Sequence, residues 1–170
     1  DPLSPEANSF LGMAYYYAHR YAEAITQLRA TLEMEPSYSL AHLWLGNSYV
    51  QNGELERGLA ELRRAKELDP HNPDVMSGLG HAYAVAGDHD AAQRVIEELH
   101  QQSQAGYVSP YYFALIYAAL GDTDQAFTLL DKAYDDRGFY MAMLEVEPMM
   151  DPLRADPRFA ALLKKVGLDK

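Results

Sequence analysis

Histidines are the side chains of this sequence most suited to metal binding or proton transfer. Neighbouring histidines are 8 to 29 positions apart, and no pair has the H-E-x-x-H spacing that places two imidazoles on one helix face for zinc. No G-x-S-x-G, phosphate-loop or G-x-G-x-x-G motif is present. We therefore expect no catalysis, no metal site and no cofactor. The six histidines are His19, His42, His71, His81, His89 and His100.

Charge and composition exclude further classes of function. The formal net charge of the 170 residues is −11, and no basic stripe is present to release counterions from nucleic acid, so nucleic-acid binding is not expected. Acidic pairs such as Asp88 with Asp90 and Asp135 with Asp136 lie at predicted turns and helix caps. No transmembrane segment is expected, and the absence of cysteine suits a cytoplasmic protein.

One pattern recurs four times with a period of 34 residues. Residues 11–25 read LGMAYYYAHRYAEAI, 45–59 read LGNSYVQNGELERGL, 79–93 read LGHAYAVAGDHDAAQ and 113–127 read FALIYAALGDTDQAF. In each copy a small residue precedes a tyrosine by three positions, which is the spacing of one helix face. A turn follows, in three copies with glycine, and a second helix carries a small residue with a large apolar residue four positions later. Each copy is therefore predicted to be a helical hairpin.

The period and the order of small, aromatic and proline positions resemble the tetratricopeptide repeat. This resemblance implies an all-α, right-handed superhelix of four helix-turn-helix hairpins with C-terminal capping helices. Two departures are the absence of the family's tryptophan near the start of each repeat and the loss of its terminal proline in the last two repeats. The predicted division is 1–4 as the remnant of an upstream repeat, 5–38, 39–72, 73–106 and 107–140 as repeats, and 141–170 as the capping segment.

The C-terminal segment departs from the repeat. Asp151-Pro152 and Asp156-Pro157 each read as a cap followed by the first helical residue, and Gly167 reads as a helix end. We expect an apolar helix here to cover the last hairpin. The DPLR-x-DPRF pattern resembles the ends of bacterial proteins in which such repeats follow a winged-helix, kinase or cyclase domain, which favours a fragment of a larger regulatory protein.

The resemblance also implies a concave groove lined by the first helix of each hairpin, which binds a protein or peptide. Carried onto this sequence, the groove residues are Phe10, Met13, Tyr16, Tyr17, Leu43, Trp44, Asn47, Val50, Gln51, His81, Val85, Tyr111 and Leu115. None is Lys or Arg, so acidic carboxylate tails are poor ligands, and an apolar or extended peptide is expected. Trp44 is an aromatic anchor and Asn47 can bond a peptide backbone.

Two alternatives remain open at this point. Trp44 and Tyr17 can instead pack against adjacent helices as ordinary core. The exposed ends of the solenoid can also drive self-association, giving a homodimer instead of a peptide complex.

Overall fold

The structure, a computed structural model, describes residues 4–168, and this part of the chain contains helices and turns but no β-strand. Only Ser4 of the expected remnant 1–4 is described; residues 1–3 lie outside. The helices are α1 (Pro5–Tyr17), α2 (Tyr21–Met34), α3 (Ser39–Gln51), α4 (Leu55–Leu68), α5 (Pro73–Val85), α6 (His89–Ala105), α7 (Pro110–Leu120), α8 (Thr123–Asp135) and α9 (Pro157–Val166), with two 3-10 helices at Phe139–Met143 and Pro148–Leu153.

The first eight α-helices form four antiparallel hairpins that stack in chain order. α1, α3, α5 and α7 contact one another in succession and form one layer, and each second helix packs against the first helix of the next hairpin. This is the layer that the resemblance places on the concave side of the superhelix. The large apolar residue of each second helix, from Leu28 in α2 to Leu130 in α8, is fully buried in the core.

Small residues let the two helices of a hairpin approach closely. A Cβ atom added to Gly46 of α3 would lie 2.6 Å from Leu62 Cγ and 3.0 Å from the Gly58 carbonyl oxygen of α4. The first distance is too short for a real contact and the second is very tight, so glycine fits best between these helices. The small positions of the repeat therefore serve packing.

The hairpin turns depend on a left-handed residue. Gly53, Gly87 and Gly121 have φ between 76° and 81°, which glycine adopts without steric cost. His19 occupies the equivalent place in the first hairpin at φ 57°. The turn prediction is confirmed at the three glycines.

The last helix covers the fourth hairpin, as predicted. Asp156 accepts a hydrogen bond from the Arg158 backbone N–H at 2.9 Å and so caps α9. Arg158 and Lys165 pair with aspartates of α8, at 2.7 Å to Asp124 and 2.9 Å to Asp131. Buried Phe159 and Leu162 join the apolar core of α7 and α8.

The other predicted helix start, at Asp151-Pro152, is wrong. The 3-10 helix begins earlier, at Pro148, with Glu147 as its cap, and Asp151 and Pro152 lie inside it. Pro148, Met149 and Met150 are buried, whereas Asp151 and Pro152 are exposed. Burial of the apolar run decides where this turn of helix forms.

We call residues 139–153 the return segment, because they lead the chain from α8 back across the concave side. The segment packs mainly on α7 and reaches as far as α1, where Tyr16 bonds Glu147. The segment was predicted to be part of the cap over the last hairpin, and its buried residues do join the core of α7 and α8. Its extension across the groove to α1 was not predicted.

Candidate peptide-binding groove

A small cavity of about 20 Å³ marks the centre of the concave side. It lies between the first helices of the four hairpins and the return segment. Six predicted groove residues line it, namely Tyr17, Leu43, Trp44, Asn47, Tyr111 and Leu115. The remaining lining residues are Ser77, which occupies a groove position of its repeat, and Asp74, Tyr140, Glu147 and Met149, which were not predicted.

The other predicted groove residues do not line this cavity. Tyr16 is fully buried beside it, and Phe10 is 61% exposed on α1. Val50 belongs to the core between α3 and α4, where it faces Gly58. Met13, Gln51, His81 and Val85 also lie outside the cavity lining, with His81 buried and Val85 exposed.

An aromatic cluster forms the end of the groove nearest the N-terminus. The Trp44 ring lies 5.5 Å, centroid to centroid, from both Tyr16 and Tyr17 of α1. Trp44 and Tyr17 thus pack against a neighbouring helix and also line the cavity. These two residues therefore pack as core and also border the groove, and their role in binding a peptide stays a prediction.

Glu147 links the return segment to this end of the groove. Its Oε1 accepts hydrogen bonds from the Tyr16 hydroxyl at 3.0 Å and from the Met149 backbone N–H at 3.1 Å. Burial raises the pKa of the carboxyl to about 7, against the effect of these two bonds, and repulsion from Asp74 adds to the rise. None of the described residues that line the cavity is Lys or Arg.

Tyr140 anchors the return segment at the middle of the groove. Its hydroxyl donates to Asp74 Oδ2 at 3.0 Å, and its ring stacks on Tyr111 with a centroid distance of 5.6 Å. Tyr112 also donates to the same Asp74 oxygen, at 3.3 Å. Burial raises the pKa of Asp74, although both tyrosine bonds oppose the rise.

Two polar atoms at the cavity have no hydrogen-bond partner among the described residues. They are Asn47 Oδ1 and the Tyr111 hydroxyl, and both side chains are almost fully buried. A buried acceptor or hydroxyl without a partner loses its bonds to water and costs about 1–3 kcal/mol. The return segment therefore fills the groove without satisfying all its polar groups.

The larger cavities of the described chain lie away from this groove. One of about 770 Å³ is an open cleft at the edge formed by the α4–α5 connection and the end of α6. Within residues 4–168, no group of three His, Asp or Glu side chains is placed to hold a metal ion. No helix in that range is long and apolar enough to cross a membrane.

These observations define an α-solenoid of helical hairpins with a lined concave face. Two family models, both described as tetratricopeptide repeat, match residues 11–73 and 58–116 and together span more than half of the chain. The chain belongs to the tetratricopeptide repeat family, whose right-handed superhelix serves as a scaffold for protein–protein interaction. Comparison with curated proteins found no match.

Solved structures support the same fold. A thermophilic tetratricopeptide repeat protein of Thermus thermophilus is 21% identical, with a TM-score of 0.67 over 96% of this chain and 84% of that one. A tetratricopeptide repeat protein from Parabacteroides merdae is 14% identical, with a TM-score of 0.57 over 100% and 67% of the two chains. YrrB, a protein described with an unusual peptide-binding site, is 15% identical, with a TM-score of 0.51 over 98% and 86%.

Proposed function

We propose that this chain binds an extended, apolar peptide segment of a partner protein in its concave groove. The observation that carries the proposal is that the groove already holds a stretch of polypeptide, in which Met149 lines the groove cavity and is almost fully buried. A surface that encloses one peptide segment has the shape and chemistry to enclose another. The peptide-binding site of YrrB gives a precedent in a protein of similar fold.

The groove composition favours an uncharged ligand. Its predicted residues supply aromatic and aliphatic surface, and the described lining offers no cation to a carboxylate. Trp44 provides a rigid ring of the kind that contributes most to binding energy at interfaces. Asn47 Oδ1, which is buried without a partner, can accept a hydrogen bond from a peptide N–H.

Selection from a random peptide library on the whole chain tests this proposal. Selected peptides should bind the double variant Trp44→Ala, Asn47→Ala at least about ten-fold more weakly than they bind the unaltered chain. Loss of an interface anchor costs ~2 kcal/mol. A matched control is Tyr107→Ala with Asn52→Ala, which removes an exposed tyrosine and an exposed asparagine outside the groove. Equal affinity for both double variants and the unaltered chain would refute the groove assignment.

We further infer the setting of this interaction. The chain acts as a non-catalytic module, and the DPLR-x-DPRF pattern at residues 151–159 favours the docking arm of a larger bacterial regulatory protein in the cytoplasm. Sequencing the gene upstream of the Asp1 codon tests this inference. A winged-helix, kinase or cyclase domain there would support it, whereas only further 34-residue repeats back to a start codon would make the protein a free-standing adaptor.

Self-association is the second candidate function, and α1 provides the surface for it. The outward face of α1 exposes Ala7, Leu11 and Ala14, at helical spacing, with Phe10 beside them. Leu11 is 43% exposed and Phe10 is 61% exposed, so the two form adjacent apolar surface on α1. A second copy can cover this face.

Sedimentation equilibrium distinguishes this candidate. If α1 mediates a dimer, the mass should rise with concentration, and Leu11→Lys should weaken the dimer about ten-fold or more because a lysine charge would be buried. Val85→Lys is the control, because Val85 is similarly exposed but lies on α5. A monomer mass at every concentration would eliminate this candidate and leave the groove proposal intact.

A further inference from the structure

The return segment occupies the groove of this chain, and its presence affects how a partner can bind. The return segment fills the centre of the concave side and leaves a cavity of only about 20 Å³. A peptide of any length needs far more room. An external ligand can therefore reach Asn47, which is almost fully buried, only after the return segment has moved.

The contacts that hold the segment describe what the groove accepts. Glu147 places a hydrogen-bond acceptor 3.0 Å from the Tyr16 hydroxyl. The next three residues, Pro148, Met149 and Met150, form a turn of 3-10 helix and are buried against the groove and the core of α7. The groove thus takes an acceptor side chain followed by a tight turn with two large flexible apolar side chains.

The charge of the surroundings restricts the first of these side chains. The ionisable neighbours of the Glu147 carboxyl are Asp74 of α5 and a group of tyrosines, namely Tyr16, Tyr17, Tyr21 and Tyr111. Arg154 donates to the Glu147 backbone carbonyl at 3.2 Å and not to the carboxyl. With an acid nearby and no cation on the carboxyl, a neutral acceptor such as a glutamine amide fits better than a carboxylate.

The return segment is also an incomplete ligand. It gives no hydrogen bond to Asn47 Oδ1 or to the Tyr111 hydroxyl, although both are buried at the cavity. A partner segment with an N–H or hydroxyl group at this point would satisfy atoms that the internal segment leaves unpaired. These additional hydrogen bonds would favour replacement of the return segment by the partner segment.

We infer that a partner binds this groove by replacing the return segment, and that it carries a glutamine or protonated glutamate followed by a turn with two methionines or similarly large apolar residues. The inference rests on the proposed function and adds the ligand pattern and the internal competitor. The internal copy of the pattern is Glu-Pro-Met-Met at 147–150.

The test uses the full chain and a labelled synthetic peptide with the sequence of residues 145–155. Glu147→Lys in the chain should release the return segment, because a lysine ammonium cannot accept the hydrogen bonds from Tyr16 and the Met149 N–H. Glu145→Lys is the matched control, with the same charge change two positions away at an exposed site. Fluorescence anisotropy at pH 7.5 should show at least ten-fold tighter peptide binding by Glu147→Lys than by the control or the unaltered chain.

Variants of the peptide test the pattern itself. On the Glu147→Lys chain, a peptide with glutamine at the position of Glu147 should bind at least as tightly as the original, and a peptide with lysine there should lose binding. Equal affinity for all three peptides would overturn the ligand pattern. Equal peptide affinity of the three chains, or no binding by a Glu147→Lys chain that keeps its helical circular dichroism, would overturn the exchange.

Hydrogen exchange on the unaltered chain keeps the inference testable if Glu147→Lys does not fold. Saturation with the glutamine peptide should speed exchange in residues 139–153, because their amides leave the groove. Unchanged exchange in this segment, together with library peptides that still depend on Trp44, would overturn the exchange and leave the groove function standing. Library peptides that ignore Trp44 would instead refute the proposed function.

Discussion

At the scale of single residues, the bond between Tyr16 and Glu147 has the greatest consequence, because the partners are 131 positions apart. Both side chains are buried, and Arg154 bonds only the backbone of Glu147. Burial without a cation favours the protonated carboxyl, which is why its pKa rises to about 7. The buried position of Glu147 is therefore more favourable for the neutral carboxyl, although the hydrogen bonds from Tyr16 and the Met149 N–H favour the charged form.

This rise in pKa predicts that Glu147→Gln stabilises the chain more strongly as pH increases. The native-state pKa exceeds the unfolded value of 4.5, so the stability due to the protonated carboxyl is complete below pH 4.5 and is lost as pH rises through about 7. Glutamine accepts the same bonds and does not ionise. The free energy of unfolding of the variant, relative to the unaltered chain, should rise by up to about 3 kcal/mol between pH 4.5 and 8 in urea titrations.

His81 also affects how stability depends on pH. The quantity to measure is therefore the difference in unfolding free energy between the Glu147→Gln variant and the unaltered chain. Burial lowers the pKa of His81 to about 4, so its neutral form contributes stability that is present above pH 6.5 and lost as pH falls through 4. This trend opposes that of Glu147 and can hide it in the unaltered chain. Because both chains contain His81, its effect cancels in the difference. A difference that stays constant from pH 4.5 to 8 would mean that Glu147 is charged throughout this range.

At the scale of elements, the hairpins follow from local sequence. Glycines at positions 53, 87 and 121 recur with the 34-residue period, and each follows the first helix of its hairpin. All three adopt the expected left-handed conformation. Gly46 meets Leu62 at a distance that only a glycine allows. These features repeat every 34 residues and involve near neighbours in the chain, so one sequence contains enough information to predict them.

The return segment could not be predicted in the same way. It has no periodic pattern, and its position depends on contacts of Glu147 and Tyr140 with residues 66 to 131 positions away. Two acidic-Pro pairs compete as helix starts, at Glu147-Pro148 and Asp151-Pro152, and only burial of Met149 and Met150 favours the first. The Glu-Pro pair before two methionines was the available signal.

Some of the residues that line the groove could be predicted from their positions in the repeat. Leu43, Asn47, Tyr111 and Leu115 follow from the repeat position of each residue on its helix, and they line the cavity. Val50 was assigned by the same rule, but its side chain packs toward α4. Repeat position fixes the face of a helix, whereas the part of that face left open depends on what packs there.

At the scale of the whole molecule, the return segment changes the connectivity of the solenoid. In a simple repeat array each hairpin contacts only its neighbours, so stability is a sum of local terms. Here the segment joins Tyr16 of the first hairpin to Asp74 of the third and Tyr111 of the fourth. The two ends of the stack are therefore coupled through the groove.

This coupling predicts a single cooperative unfolding transition that depends on the return segment. In urea, fluorescence of Trp44, the only tryptophan, and circular dichroism of all helices should give the same midpoint for the unaltered chain and for Glu145→Lys. Glu147→Lys removes the link, so the midpoints should separate, because the second hairpin and the whole stack then unfold independently. Coincident midpoints in Glu147→Lys would show that contacts between neighbouring hairpins suffice for cooperativity.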